Sequence, residues 1–166
     1  RSWILLSAGG VLLVSFAVMK KMKTDSSIAG VFACDLSTDH EIELYTTKVS
    51  AGFPSPADDF IERKLDLNRF LVKHPAATFF VRVSGESMMN AGISDGDILV
   101  VDRSINPMDK KIVIASVNSE LTVKRIRKVG TEVFLVPEND QYSPIKISDG
   151  MEFSVWGVVT ASIRVQ

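Results

Sequence analysis

Two side chains in this sequence have the types that acyl-transfer chemistry needs: Ser87, in the corner Gly85-Glu86-Ser87-Met88, and Lys124, in the run Leu121-Thr122-Val123-Lys124-Arg125-Ile126. A serine in a turn is by default a turn former, its hydroxyl bonding nearby backbone. It becomes a nucleophile only when a neighbouring base can take its proton. Lys124 can be that base if it is drawn out of water, because burial disfavours an ammonium ion relative to the neutral amine. On a strand, Lys124 shares a face with Thr122 and Ile126 while Arg125 points the other way. Spacing alone does not single the pair out.

Other chemistries fit less well. A Ser-His-Asp triad would have to recruit His40 or His74, the two histidines of the chain, and His74 stands before Pro75 as a loop residue. No two histidines, cysteines or carboxylates have metal-ligand spacing, so neither a metal nor another cofactor is expected. The stretch Ser94-Asp95-Gly96-Asp97 would suit calcium, but an Asp-Gly hairpin turn between apolar strands accounts for it without an ion. Lys124 to Lys128, read as KRIRK, alternates between the two faces of a strand and makes no single basic stripe. The lone cysteine, Cys34, excludes an internal disulfide and fits a reducing compartment. It is a poor lipid-attachment site, because the bulky Phe32 stands where such signals want a small residue.

Composition bounds the protein that must position these groups. The chain has 166 residues, 46% hydrophobic and 23% charged, enough for one globular domain with a buried core and some additional segment. Nineteen basic against twenty acidic residues leave a net charge of −1, so no global basic field is present and no direct sequence-specific DNA binding is expected.

The organisation falls into three parts. Residues 2–19 carry no charge and are followed by KKMK. That run is just short of the roughly 20 residues of a spanning helix, and it has no small-residue cleavage site. With Arg1 first and Met22 heading a polar stretch, two readings of residues 1–21 stand: upstream sequence translated in frame, or a membrane anchor. Residues 22–51 read as an extended arm or linker containing one extended piece, EIELYTTKV. Residues 52–166 read as the domain proper. A short helix is expected near residues 56–66, where Ser55 can cap, Pro56 can take the first helical position and Asp58 suits a capping box. Six β-branched runs follow, ATFFVRV, DILVVDR, KIVIASV, ELTVKRI, EVFLV and FSVWGVVTASI, separated by the turn formers SDGD, VNSE, KVGT and PENDQYSP. The expected fold is mainly β: a compact antiparallel sheet or barrel-like domain with one short helix, preceded by the extended arm.

Taken together, GFPSPADDF, HPAATFFVRVSGESM, ISDGDILVVDR, ELTVKRI and WGVV resemble the LexA-type self-cleaving serine peptidases, specifically the UmuD branch, over residues 50–160. The resemblance implies a catalytic dyad of Ser87 and Lys124, an oxyanion hole from the backbone N–H groups of Glu86 and Ser87, and a cut at the Ala51-Gly52 bond. Alanine stands at 51 where UmuD proteins often carry cysteine, and both are small. It further implies a cytoplasmic homodimer whose self-cleavage is triggered by the RecA filament on single-stranded DNA. The trimmed form would serve a UmuC-type polymerase in error-prone synthesis during the SOS response. Three rivals are weighed against it. A LexA-like repressor needs a DNA-binding domain of some 70 residues ahead of the cut, more than the chain offers. A type I signal peptidase would use residues 2–19 as its anchor, but its serine motif, Ser-Met-x-Pro, is broken here by Asn90. A binding module with a dead site is opposed by the intact pair Ser87 and Lys124.

Overall fold

The computed structural model describes residues 27–33, 41–45 and 61–166. Within them run ten strands: β1 (Ile28–Ala33), β2 (Glu41–Tyr45), β3 (Ile61–Asp66), β4 (Thr78–Val83), β5 (Ile98–Asp102), β6 (Ile112–Val117), β7 (Glu120–Val129), β8 (Glu132–Val136), β9 (Ile145–Ile147) and β10 (Phe153–Ile163). One α-helix, α1 (Leu67–Leu71), stands between β3 and β4. All six β-branched runs form the strands expected of them. The mainly β architecture expected from the sequence is the one found.

Eight strands make one antiparallel sheet in the order β1-β4-β5-β10-β6-β7-β8-β9, and β2 pairs with β3 separately. Local turn chemistry sets much of the register. Asn118 and Ser119 both take positive φ, 49° and 68°, and close the β6–β7 hairpin so that Val117 faces Glu120. Two such residues in a two-residue loop match the right-handed twist of the flanking strands. Gly130, at φ 61°, does the same work between β7 and β8, where Val129 faces Glu132. The sheet curls on itself: Ser27, just ahead of β1, donates to Thr122 of β7 at 3.2 Å, although β4, β5, β10 and β6 lie between those strands in the order.

Alternation divides the core between the two faces. Ile114 joins Phe79, Val81, Leu99, Leu121 and Val123 in one cluster, whereas its neighbours Val113 and Ala115 join Ile126, Leu135 and Val158 in another. The close packing reaches the backbone at Gly157 of β10. A Cβ there would lie 2.8 Å from Val101 Cγ1 and 3.0 Å from the Asp102 carbonyl oxygen.

Two expectations need correction. The helix expected near residues 56–66 is not there: Ile61–Asp66 is strand β3, and residues 56–60 lie outside the described residues. Antiparallel pairing with β2, from Glu41 opposite Asp66 to Tyr45 opposite Ile61, outweighs the local capping signals. The helix that is present, α1, begins only at Leu67 and is capped by Asp66, whose Oδ1 accepts from the N–H groups of Asn68 at 2.8 Å and Arg69 at 3.3 Å. Secondly, Ser94–Asp97 is not a two-residue hairpin loop. It is a turn at the mouth of β5, tied to the end of β4 by the Gly96 N–H on the Val83 carbonyl at 3.0 Å. Asp97 is buried and takes the Ser94 N–H at 2.8 Å and the Arg164 guanidinium at 2.7 and 2.9 Å. That guanidinium, with the Ser94 N–H, holds the Asp97 carboxyl below the usual carboxylate range against the opposing effect of burial. The segment expected as an extended arm also supplies a strand, β1, to the edge of the main sheet. Residues 1–21 and the Ala51-Gly52 bond lie outside the described residues. Among the described residues no helix is long and apolar enough to cross a membrane.

Candidate active site

Lys124 owes its position to the middle of β7. Its cross-strand partner is Val113, Thr122 is opposite Ala115, and the pairing fixes both side chains on one face. Lys124 is 6% exposed and Thr122 3%, so the aliphatic stem and the amine are both withdrawn from water. Three described acceptors surround Nζ: Thr122 Oγ1 at 2.7 Å, the Val123 carbonyl at 3.0 Å and Ser87 Oγ at 3.1 Å. Arg125 turns to the opposite side, as alternation requires, and pairs with Glu138.

Ser87 comes from an irregular corner between β4 and β5. Gly85 bends the chain at φ 87°, a conformation that costs glycine nothing, and its N–H is held by Asp95 Oδ1 at 2.8 Å. Beyond the serine, Met88 is 1% exposed and plugs the loop into the first core cluster. The segment after β8 clamps the other side: the Glu138 N–H bonds the Ser87 carbonyl at 2.8 Å, the Asn90 N–H bonds the Glu138 carbonyl at 2.8 Å, and Asn139 Nδ2 bonds the Glu86 carbonyl at 2.9 Å. Every described carbonyl of the corner is thus engaged at Glu86 and Ser87. The backbone of Glu86 and Ser87 lines the cleft beside the serine hydroxyl.

The two side chains meet at the floor of a cleft of about 200 Å³, lined by Ser27, Gly85, Glu86, Thr122, Tyr142 and Ile145 among others. The chemistry available follows from how the amine is held. The lysine amine that donates to Thr122 Oγ1 and the Val123 carbonyl also points toward Ser87 Oγ. When neutral, it directs a lone pair there. The arrangement can take a hydroxyl proton and hold it, which is what activates a serine for attack on a carbonyl.

The structure therefore brings Ser87, Lys124 and the Glu86 and Ser87 backbone into one site. It keeps His74 out: its Nδ1 contacts Asp102 at 2.6 Å, beside Ser104, and His74 does not line the cleft. Among the described residues no group of histidines, cysteines and carboxylates could hold a metal ion. Sequence reasoning passed over the clamp of Glu138 and Asn139, which the sequence marks only as part of a turn-forming run. It also passed over Ser27, since nothing in the sequence ties residue 27 to residue 122.

Comparison with known proteins gives the family. Residues 43–160 match the family described as peptidase S24-like. Protein MucA of Salmonella typhimurium is 43% identical over 125 residues, covering 75% of this chain and 85% of its own. Protein SamA of Salmonella typhimurium is 45% identical over 121 residues, covering 73% and 84%. The LexA repressor of Colwellia psychrerythraea is 41% identical over 120 residues, covering 70% of this chain and 56% of the repressor. The match runs through both the serine corner and the lysine strand, and on that ground the chain belongs to the S24-like serine peptidases.

Proposed function

We propose that this chain is a self-cleaving Ser-Lys endopeptidase of SOS mutagenesis that cuts its own Ala51-Gly52 bond. The observation that carries the proposal is the 3.1 Å contact between Lys124 Nζ and Ser87 Oγ, both buried at the floor of one cleft. Ser87 Oγ attacks the carbonyl carbon of Ala51 as Lys124 accepts the hydroxyl proton. The N–H groups of Glu86 and Ser87 stabilise the oxyanion. Collapse expels the amine of Gly52, which takes the proton from Lys124 and leaves Ala51 esterified to Ser87. Water, deprotonated by the same lysine, then releases the carboxylate of Ala51 and restores the serine. Small residues on both sides of the bond suit a narrow cleft.

The domain division follows from that cut: residues 22–51 are the arm removed and residues 52–166 the retained domain, with residues 1–21 ahead of both. The trimmed chain then acts as a homodimer beside a UmuC-type polymerase in translesion synthesis, with the RecA filament on single-stranded DNA as the trigger. Resemblance to the UmuD branch supports these partners. The test is the mass of the purified chain after incubation with activated RecA filament and nucleotide. A product beginning at Gly52 is expected, and Gly52→Val should block its formation by crowding the cleft. A different new N-terminus, or no cleavage, overturns the reading. A chain beginning at Met22 should cleave equally well. If it is inert while the longer chain sits in a membrane and trims secreted precursors, the signal-peptidase reading replaces this one.

A further inference from the structure

The strand β1 lies upstream of the Ala51-Gly52 bond, so on the reading proposed above hydrolysis severs the covalent link between β1 and the domain it packs on. What else holds β1 is independent of that link. It pairs antiparallel with β4, with Ile28 opposite Val83, Val31 opposite Val81 and Ala33 opposite Phe79, and one bulge between Ile28 and Gly30. At its head the Ser84 N–H bonds the Ser27 carbonyl at 2.9 Å, and Ser27 Oγ reaches Thr122 of β7 at 3.2 Å. Ile28 is 2% exposed and belongs to the same cluster as Val81, Val83 and Met88.

We infer that the outer edge of β4, with the apolar slot filled by Ile28, is a strand-docking groove whose occupant, residues 27–33 of this chain, stays bound after the chain is cut. Release of the arm is then a step distinct from hydrolysis. The same fragment carries β2, whose five-residue ladder with β3 gives it a second hold on the retained domain. Two short ladders on one fragment act together, because docking of the first raises the effective concentration of the second. Loss of the arm would also leave a hydrophobic edge with unpaired backbone donors and acceptors, the feature that natural sheets keep covered. While β1 remains, Ser27 keeps its place in the cleft wall against Thr122, so the catalytic pocket of the cut protein keeps the shape of the uncut one.

The test uses the full chain with Ser87→Ala, so that its outcome is independent of self-cleavage, and a foreign protease site replacing residues 47–52. After complete cutting, native mass spectrometry and size-exclusion chromatography should find the arm fragment with the domain, and denaturant should separate them. Hydrogen exchange should show the β4 amides as protected in the cut chain as in the intact one. Ile28→Asp in the same chain should lose the fragment on cutting and lose that protection. A domain that elutes without its arm overturns the inference, and so does an Ile28→Asp chain that retains it. If instead the domain carries the arm here while the unmodified chain yields no Gly52 product, the docking groove stands and the peptidase reading falls.

Discussion

The cleft and the end of β5 each set a serine beside an amine or an imidazole, and they differ in where the protons go. At the cleft, Ser87 Oγ meets Lys124 Nζ, which is positioned by Thr122 and the Val123 carbonyl. At the end of β5, Ser104, His74 and Asp102 supply the three residue types of a catalytic triad without its geometry. Asp102 Oδ2 and Ser104 Oγ both crowd the same ring nitrogen of His74, at 2.6 and 3.1 Å, whereas a relay places them on opposite nitrogens. Ser104 also spends both donors on the carboxylate, its N–H at 2.7 Å and its hydroxyl at 2.6 Å to Asp102 Oδ1. The proton of Ser104 therefore faces an acceptor that holds it in place, and the cluster caps a strand end. An inventory of residue types does not distinguish these two sites, but the partner of each donor does.

The sharpest way to break this comparison is by deletion of each serine and each base. Ser87→Ala and Lys124→Ala should each reduce self-cleavage by about 10⁴-fold or more, since members of one catalytic unit fail together. Ser104→Ala and His74→Ala should leave the rate within a few-fold. Mass spectrometry over a time course reads both. If His74→Ala stops the reaction while Lys124→Ala permits it, the roles of the two clusters are exchanged.

The next effect is on the pH dependence. A lysine in water titrates near about 10.4, and only the neutral amine can accept the serine proton. Self-cleavage without RecA should accordingly rise by roughly tenfold per pH unit through the alkaline range before levelling off. A histidine base would level off near neutrality. A flat profile from pH 6 to 9 would remove the lysine from the mechanism.

The contrast also shows how unevenly the sequence discloses the molecule. The strands from β4 to β8, and β10, were legible because β-branched residues alternate between turn formers such as Asn118-Ser119 and Gly130. Lys124 and Thr122 were legible as neighbours on one face because strand geometry fixes that relation. The strand β1 was not, since Gly30 and two alanines give Ile28–Ala33 little β signal and its stability comes from β4, some 50 residues on in the chain. At β3 local capping signals competed with a partner strand, and the non-local pairing won. The meeting of Ser87 with Lys124 was read through family resemblance. Its physical cause, the clamp of Glu138 and Asn139 on the serine corner, depends on contacts about 50 residues apart that no local pattern encodes.

A third expectation concerns the stability that the capping cluster supplies. Asp102 is 2% exposed; burial alone would raise its carboxyl, yet the hydrogen bonds from Ser104 and His74 more than compensate and hold it below the usual range. A carboxylate lowered in the folded state contributes stability that is full above the unfolded value, about 3.9, and is lost as pH falls through the folded one. Asp102→Asn should thus cost about 1–3 kcal/mol at pH 7, through the buried donors it leaves poorly matched. The difference from the unaltered chain should shrink in acid. Thermal melts at pH 7 and pH 3 check the sign, and a cost that grows on acidification contradicts it.

The smallest expected effect separates the two partners of Asp102 in that cluster, His74 and Ser104. The His74 side chain is 57% exposed and Asp102 only 3%, so the contact between them is largely open to solvent on the imidazole side. A contact this open to solvent is worth about 0.2–1 kcal/mol. Ser104 still donates twice to Asp102 when the imidazole is gone, so the buried carboxylate is not stranded. His74→Ala should therefore lower stability by less than Ser104→Ala, which removes the hydroxyl bonded to Asp102 Oδ1 within the same turn. The reverse order in denaturant melts at pH 7 would make His74 the principal support of Asp102. The cluster would then be built around its histidine after all, which is the arrangement that the crowding of both oxygens on Nδ1 argues against.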